Sequence, residues 1–315
     1  MLLFRSSRRA RFRVVFAGIA CAGLAALAGC SSASSSSSSS AGDSSATSPA
    51  ASAAATGSGP VNVLYAGSLV NLMQKQVGPA FQQATGYTVT GFSAGSTALA
   101  TEIKGKVQPG DVFISASPKV NTSLEGTANG NWVSWYATVA TSALAIGYNP
   151  NSKFASQLKS KPWYDVVTQP GFKLGFTDPA TDPKGVLAVQ ALTDTATKQH
   201  LPALKQLASA TSDEFPEETL VGRLQAGQLD AGFFYTSEAV AAKIPTVPVT
   251  GEDLKATYTI TVLNNAPHAA AAAAFVSYLL GSGGQGILKQ DGFTLVTPPK
   301  VTGSGVPAAL SGVLP

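Results

Sequence analysis

The chain has 315 residues, of which 44% are hydrophobic and 12% charged, with 21 lysines and arginines against 17 acidic side chains and a formal net charge of +4. Five of the basic residues (Arg5, Arg8, Arg9, Arg11 and Arg13) precede Cys30 and no acidic residue does, so the chain from Cys30 onward carries 16 basic and 17 acidic side chains, a net −1. The basicity therefore belongs to the N-terminus and gives no argument for a nucleic-acid partner; two cysteines (Cys21, Cys30) and two histidines (His200, His268) leave no disulfide framework and no zinc site.

Residues 1–29 read as a targeting segment: a positive start, then an apolar run over 14–27 that is short for a membrane span. It ends in Leu27-Ala28-Gly29-Cys30, which resembles a bacterial lipobox. That resemblance implies that Cys30 is lipidated and becomes the mature N-terminus. Ser7-Arg8-Arg9 hints at twin-arginine export, but Phe12 sits one place late for that motif, so the export route stays open. Residues 30–59 are almost all Ser, Ala, Thr and Gly; they cannot bury a core and are expected to form a flexible tether. The globular part is then 60–315, enough for one large or two medium α/β domains.

Residues 61–66 are short, apolar and bounded by Pro60 and Gly67, the pattern of a buried strand. Leu69, Leu72, Met73, Ala80, Phe81 and Ala84 recur at helical spacing, with a kink expected at Gly78-Pro79 and a stop at Gly86. A second strand is expected over 88–92. Ser93-Ala94-Gly95-Ser96 then turns into a helix over 97–104, and 111–115 reads as a third strand. This is βαβαβ, with parallel strands and right-handed crossovers. Ser68 and Ser96 both fall where a strand's C-terminal end meets a helix start, the edge at which open parallel sheets bind ligands. Free backbone N–H groups and the positive helix end favour an anion there. The alternative is that both serines only cap their helices.

Further along, 118–135 reads as loop and short helix, 139–149 as a long strand, and 150–170 as helical and turn-rich, with Trp163 and Tyr164 as packing residues. A short strand over 174–177 leads into the polar loop Asp178-Pro179-Ala180-Thr181-Asp182-Pro183-Lys184-Gly185, which opens a helix over 186–196. Helices follow at 201–208 and at 217–225, the latter with Glu217 and Glu218 in its first turn, as the macrodipole favours. Strands are expected at 230–235 and 257–263, a helix at 266–280, and a terminal helix from 284. A second strand–loop–helix set thus lies between about 144 and 249, so two α/β lobes facing across a cleft are expected.

The globular part resembles the substrate-binding proteins of bacterial ABC importers with the two-lobed type II topology, and within them the molybdate/tungstate binders. The resemblance rests on Ala66-Gly67-Ser68-Leu69, Ala94-Gly95-Ser96-Thr97, Gly110-Asp111-Val112-Phe113-Ile114-Ser115-Ala116, Asp182-Pro183-Lys184-Gly185, the run Gly227 to Tyr235 and the run Gly284 to Phe293, in family order. It implies one lobe from 60–141 plus 257–315, the other from 142–256, a ligand cleft between them and a two-strand hinge near 139–148 and 257–263. It also implies that Ser68, Ser96 and Tyr235 contact an oxyanion. In one branch two carboxylates approach the metal of the anion; Asp182 and Glu218 match those, with Glu217 as the rival. Lys184 stands where the family often has another residue, and its contact with ligand or solvent stays open. The implied function is capture of molybdate or tungstate for an ABC permease and its ATPase, by a monomer without cofactor, held by its lipid on the extracytoplasmic face of the membrane.

Acids lining an anion site repel the ligand unless something compensates. Molybdenum(VI) and tungsten(VI) accept extra oxygen ligands and sulfur(VI) does not, so acids here would disfavour sulfate. Another oxyanion such as sulfate, or an adhesin or signalling lipoprotein, are the competing readings. An enzyme is not expected: Tyr65-Ala66-Gly67-Ser68-Leu69-Val70 lacks the nucleophile elbow of serine hydrolases, His268 reads as a helix-start surface residue, and no P-loop occurs.

Overall fold

Six of the seven residues of β1 (Pro60–Ala66) are buried, as a strand covered by helices on both faces requires. The computed structural model describes residues 57–315; the leader, Cys30 and almost all of the expected tether lie outside the described residues. β1 pairs in parallel with β2 (Thr88–Ala94) on one side and with β3 (Val112–Ser115) on the other. This is the βαβαβ arrangement the sequence predicts.

The chain leaves β1 through a 3-10 turn, Gly67–Leu69, and reaches the helix Gly78–Thr85 by way of a π turn, Met73–Val77. The expected kink at Gly78-Pro79 takes this form. Pro79 has no N–H for the carbonyl four residues back, and Gly78 N–H instead donates to Met73 O five residues back, which makes room for the ring. Gly86 ends the helix at φ 81°, a left-handed conformation that glycine adopts without strain. Phe81 is fully buried edge-on against Phe275 of the helix Ala269–Leu280, ring centroids 5.2 Å apart.

Among the described residues nine strands form one sheet, ordered β2-β1-β3-β8-β4-β6-β5, with β7 and β9 also paired to β4. β4 (Trp135–Tyr148) is its axis. Its first half pairs antiparallel with β8 (Lys255–Val262) and β9 (Thr294–Gly303). Its second half pairs with β6 (Ala231–Tyr235) and β7 (Thr246–Pro248), and β6 continues in parallel to β5 (Leu174–Gly175). β8 returns from the second group of strands to pair with β3. The fold is therefore the expected α/β, two-lobed type II arrangement, with β4 and β8 running between the lobes.

Several elements differ from the sequence expectation. β5 is two residues long, because Phe176 makes only an isolated bridge to Glu214. β7, β9 and the helix Thr236–Ala242 are additional. β9 holds Pro298 and Pro299, which cannot donate to a ladder. Its pairing jumps from Thr138↔Lys300 to Ala140↔Leu295, so both prolines fall inside the irregularity.

Asp111, just before β3, is fully buried and ties three elements together. Its carboxylate accepts the N–H of Asn62 in β1 at 2.7 Å and that of His268, at the start of the Ala269–Leu280 helix, also at 2.7 Å. His268 Nδ1 lies 2.9 Å from the same carboxylate. The histidine is half-exposed at a helix start, where the sequence places it, and its ring fastens that helix to the sheet. Asp111→Ala leaves two backbone donors without partners and should lower unfolding stability by roughly 2–5 kcal/mol in a urea titration; a loss within ~0.5 kcal/mol would mean that water replaces the carboxylate.

Candidate functional site

Ser68 sits in the 3-10 turn after β1 and Ser96 is the first residue of the helix Ser96–Gly105 after β2. Neither end is capped by a side chain. Ser68 Oγ lies 2.8 Å from the hydroxyl of Tyr258 on β8. Ser96 Oγ accepts from Ala116 N at 3.1 Å, so its own O–H remains to be donated. Both serines are buried.

The second lobe supplies Asp182, Glu217 and Tyr235. Asp178 folds the loop: its carboxylate accepts Ala180 N–H and its carbonyl accepts Asp182 N–H at 2.9 Å. Asp182 then caps the helix Pro183–Lys198, its Oδ1 accepting Lys184 N–H at 2.8 Å. Gly185 is required, because a Cβ there would stand 2.1 Å from Thr177 O. Glu217 opens the helix Glu217–Gln225 and Tyr235 closes β6.

Glu217 and Glu218 divide sharply. A helix turns about 100° per residue, so the two point in different directions, although both line the cavity between the lobes. Glu217 is buried, whereas Glu218 is exposed and accepts the hydroxyl of Ser93 at 2.7 Å. Glu217, the rival position, is the carboxylate paired with Lys184, while Glu218, the expected one, lines the cavity together with Asp182 and reaches Ser93 of the first lobe.

Lys184 reaches neither solvent nor an open cavity. It is fully buried, with Nζ 2.5 Å from Glu217 Oε2 and 2.8 and 3.1 Å from Glu238 Oε2 and Oε1. Glu238 lies in the first turn of the Thr236–Ala242 helix and also accepts Tyr235 N–H at 3.2 Å. Sequence reasoning missed both Glu238 and Tyr258. A glutamate three residues into a helix that follows a strand is a capping-box signal, which would have drawn attention to Glu238.

The two lobes touch through backbone. Thr97 N–H and Ala98 N–H both donate to Thr181 O at 3.1 Å, so two of the helix-start donors expected to be free for an anion are spent on the opposite lobe. A Cβ on Gly95 would lie 2.3 Å from Thr181 O, and one on Gly67 2.7 Å from Glu217 Cβ. Only glycine allows approach this close. What remains open is a cavity of about 480 Å³ between Ser93–Gly95 on one lobe and Thr177, Asp182, Glu217 and Glu218 on the other; Ser68, Ser96 and Tyr235 are not among its lining residues. Behind it, Tyr235 OH and Thr177 Oγ1 are buried without hydrogen-bond partners among the described residues, and the Glu217 carboxylate has no partner there besides the Lys184 ion pair. Buried groups left unpaired cost roughly 1–3 kcal/mol each. A polar ligand that accepts from Tyr235 and Thr177 would recover part of that cost.

The electrostatics follow from burial and crowding. Burial, then the neighbouring Glu217, pushes the Asp182 carboxyl up to about 6. Burial and then Glu238 hold Glu217 well above the usual carboxylate range, although Lys184 pulls it down. Burial alone would lower Lys184, but Glu217 and Glu238 outweigh it and the ammonium is held above the usual lysine range. Burial also raises the Tyr235 and Tyr258 hydroxyls, so both remain neutral donors.

A polar site enclosed between two α/β lobes defines a binding protein for a small solute. The chain belongs to the bacterial extracellular solute-binding proteins, whose family model matches residues 61–294. A Haloferax volcanii protein, named provisionally as an ABC transporter molybdenum-binding protein, is 30% identical over 242 residues, covering 76% of this chain and 69% of that one. The molybdate/tungstate-binding protein WtpA of Thermococcus kodakarensis is 24% identical over 236 residues, covering 58% of this chain and 66% of the other. In structure the chain resembles the periplasmic molybdate-binding protein of Azotobacter vinelandii, with a TM-score of 0.60 at 23% identity, covering 75% of this chain and 99% of that one.

The raised Asp182 carboxyl has a stability consequence. The folded chain holds this proton up to about pH 6, while the unfolded chain releases it near pH 4. Between those values the folded state binds more protons, so this contribution to stability falls as pH rises and is constant above the window. Asp182→Asn cannot ionise and should lose that part of the slope when thermal midpoints are recorded from pH 4 to 7. Parallel profiles for parent and variant would mean that Asp182 ionises as freely as a surface carboxylate.

Proposed function

We propose that this chain is an extracytoplasmic lipoprotein that captures molybdate or tungstate between its lobes and delivers it to the permease and ATPase of an ABC importer. What supports the reading is that buried hydroxyls and acidic side chains of the two lobes come together where the lobes meet. Ser68, Ser96 and Tyr235 are suited to donate to the oxygens of a tetrahedral anion. Asp182 and Glu218, with Glu217 as the rival, would repel sulfate, but a molybdenum or tungsten centre can take carboxylate oxygens as further ligands. The names of the Haloferax and Thermococcus relatives support the same ligand.

In this reading residues 60–141 and 257–315 form the lobe of Ser68 and Ser96, and 142–256 the lobe of Asp182, Glu217 and Tyr235. β4 and β8 are the hinge. The lipid on Cys30 and the Ser/Ala tether keep the binder near its permease and raise its effective concentration there. The protein works as a monomer and without a cofactor.

Calorimetric titration of the purified chain with molybdate, tungstate, sulfate and phosphate tests the proposal. Molybdate and tungstate should bind at least about tenfold more tightly than sulfate, a difference of ~1.4 kcal/mol. Equal affinity for sulfate would make the protein a generic oxyanion binder, and no binding of any of the four would favour the adhesin or signalling reading.

Ser68→Ala and Ser96→Ala should each weaken binding by about tenfold to a hundredfold, the worth of one donor to a charged acceptor. Each also strands a neighbour, Tyr258 OH in the first case and Ala116 N–H in the second, so stability should fall by roughly 1–3 kcal/mol as well. Affinity measured where the variants remain folded separates the two effects. Parental affinity in both variants would place the anion elsewhere.

A further inference from the structure

Glu238 is buried and joins one candidate ligand contact, Tyr235, to the Lys184 ammonium. One of its oxygens accepts the backbone N–H of Tyr235 at 3.2 Å, and both face the Lys184 ammonium at 2.8 and 3.1 Å. We propose that Glu238 is a positioning residue that sets the anion selectivity of the cleft by holding the Lys184 ammonium away from the bound anion. The inference rests on the reading that the cleft binds an oxyanion.

An ammonium has three N–H donors. Lys184 donates to both oxygens of Glu238 and stands in an ion pair with Glu217 Oε2 at 2.5 Å. The rings of Phe234 and Tyr235 stand 5.1 and 5.8 Å from Nζ and wall in other directions. The side chain is fully buried and does not line the cavity. This matters because a lysine is a compact point charge on a flexible stem. A free ammonium in a closed cleft would attract sulfate, phosphate and molybdate alike, since all are tetrahedral anions of similar charge. Tying it to Glu238 removes the attraction that does not discriminate, and leaves the hydroxyls and the Asp182 and Glu217 carboxylates to choose. Because Glu238 is itself anchored to the Tyr235 backbone, the ammonium cannot swing forward without breaking that bond.

Glu238→Gln keeps the shape and an acceptor for Tyr235 N–H, but removes the charge and the two-oxygen grip on Lys184. Sulfate and phosphate affinity, by calorimetry, should rise by about tenfold or more. Molybdate should change less, so the molybdate-to-sulfate ratio falls. A purely structural role would weaken all anions together and leave the ratio unchanged. Adding Lys184→Met to Glu238→Gln removes the ammonium and should abolish the gain. Should Glu238→Gln not fold, Glu238→Asp withdraws the carboxylate by one methylene and carries the same test through the same ratio. A parent that binds molybdate with a variant that keeps the parental ratio overturns this inference alone. A parent that binds none of the anions overturns the oxyanion reading, and this inference with it.

Discussion

The buried ammonium of Lys184 between Glu217 and Glu238 is the interaction on which the second lobe's geometry depends. It joins the first turns of three helices, Pro183–Lys198, Glu217–Gln225 and Thr236–Ala242. Taking three charges out of water is expensive, and removing one partner of such a group leaves an uncompensated charge that costs roughly 3–5 kcal/mol. The three helix starts are therefore locked relative to one another. The same starts carry Asp182, Glu217 and, one residue ahead of the third helix, Tyr235. A charge cluster that contributes little net stability thus fixes where the cleft's polar groups point.

Closure of the cleft is arranged differently, by backbone and by the absence of side chains. Gly67 and Gly95 let the first lobe approach Glu217 and Thr181 to distances that a Cβ would forbid. The Thr181 carbonyl then takes two N–H groups from the start of the Ser96–Gly105 helix. In the closed arrangement the helix dipole is met by protein rather than by an anion, and hydroxyls are left as the donors to a ligand. Hydroxyls rotate to suit an acceptor and carry no net charge, so the site can hold an anion without a cation pointed at it. The unpaired hydroxyl of Tyr235 is the clearest mark of this.

Much of the scaffold was legible because its signals are local. The βαβαβ start, the helix at 217–225 and the strand ending at Tyr235 each follow from periodicity and punctuation within a few dozen residues. β9 was not legible, because Pro298 and Pro299 argue against a strand and only the irregularity in β4 accommodates them. The helix Thr236–Ala242 escapes a reading of periodicity because it is short and follows its strand with no turn between them. Glu217 and Glu218 could not be told apart from sequence, since both are acids in one first turn and the rotation of the helix is set by packing.

The sequence by itself determined the class of fold, the positions of Ser68, Ser96, Asp182 and Tyr235 at element ends, and the scarcity of histidine, cysteine and arginine that excludes many other chemistries. Those properties reside in residue types and short spacings, which the chain carries before it folds. Tertiary structure decided which acid pairs with Lys184, that Lys184 is buried rather than free, and that Glu238 is its second partner. Lys184 and Glu238 are 54 residues apart and belong to different helices. Their distance is set by how those helices pack on the sheet, and no local pattern in a sequence encodes a charge balance that forms only when separate elements meet.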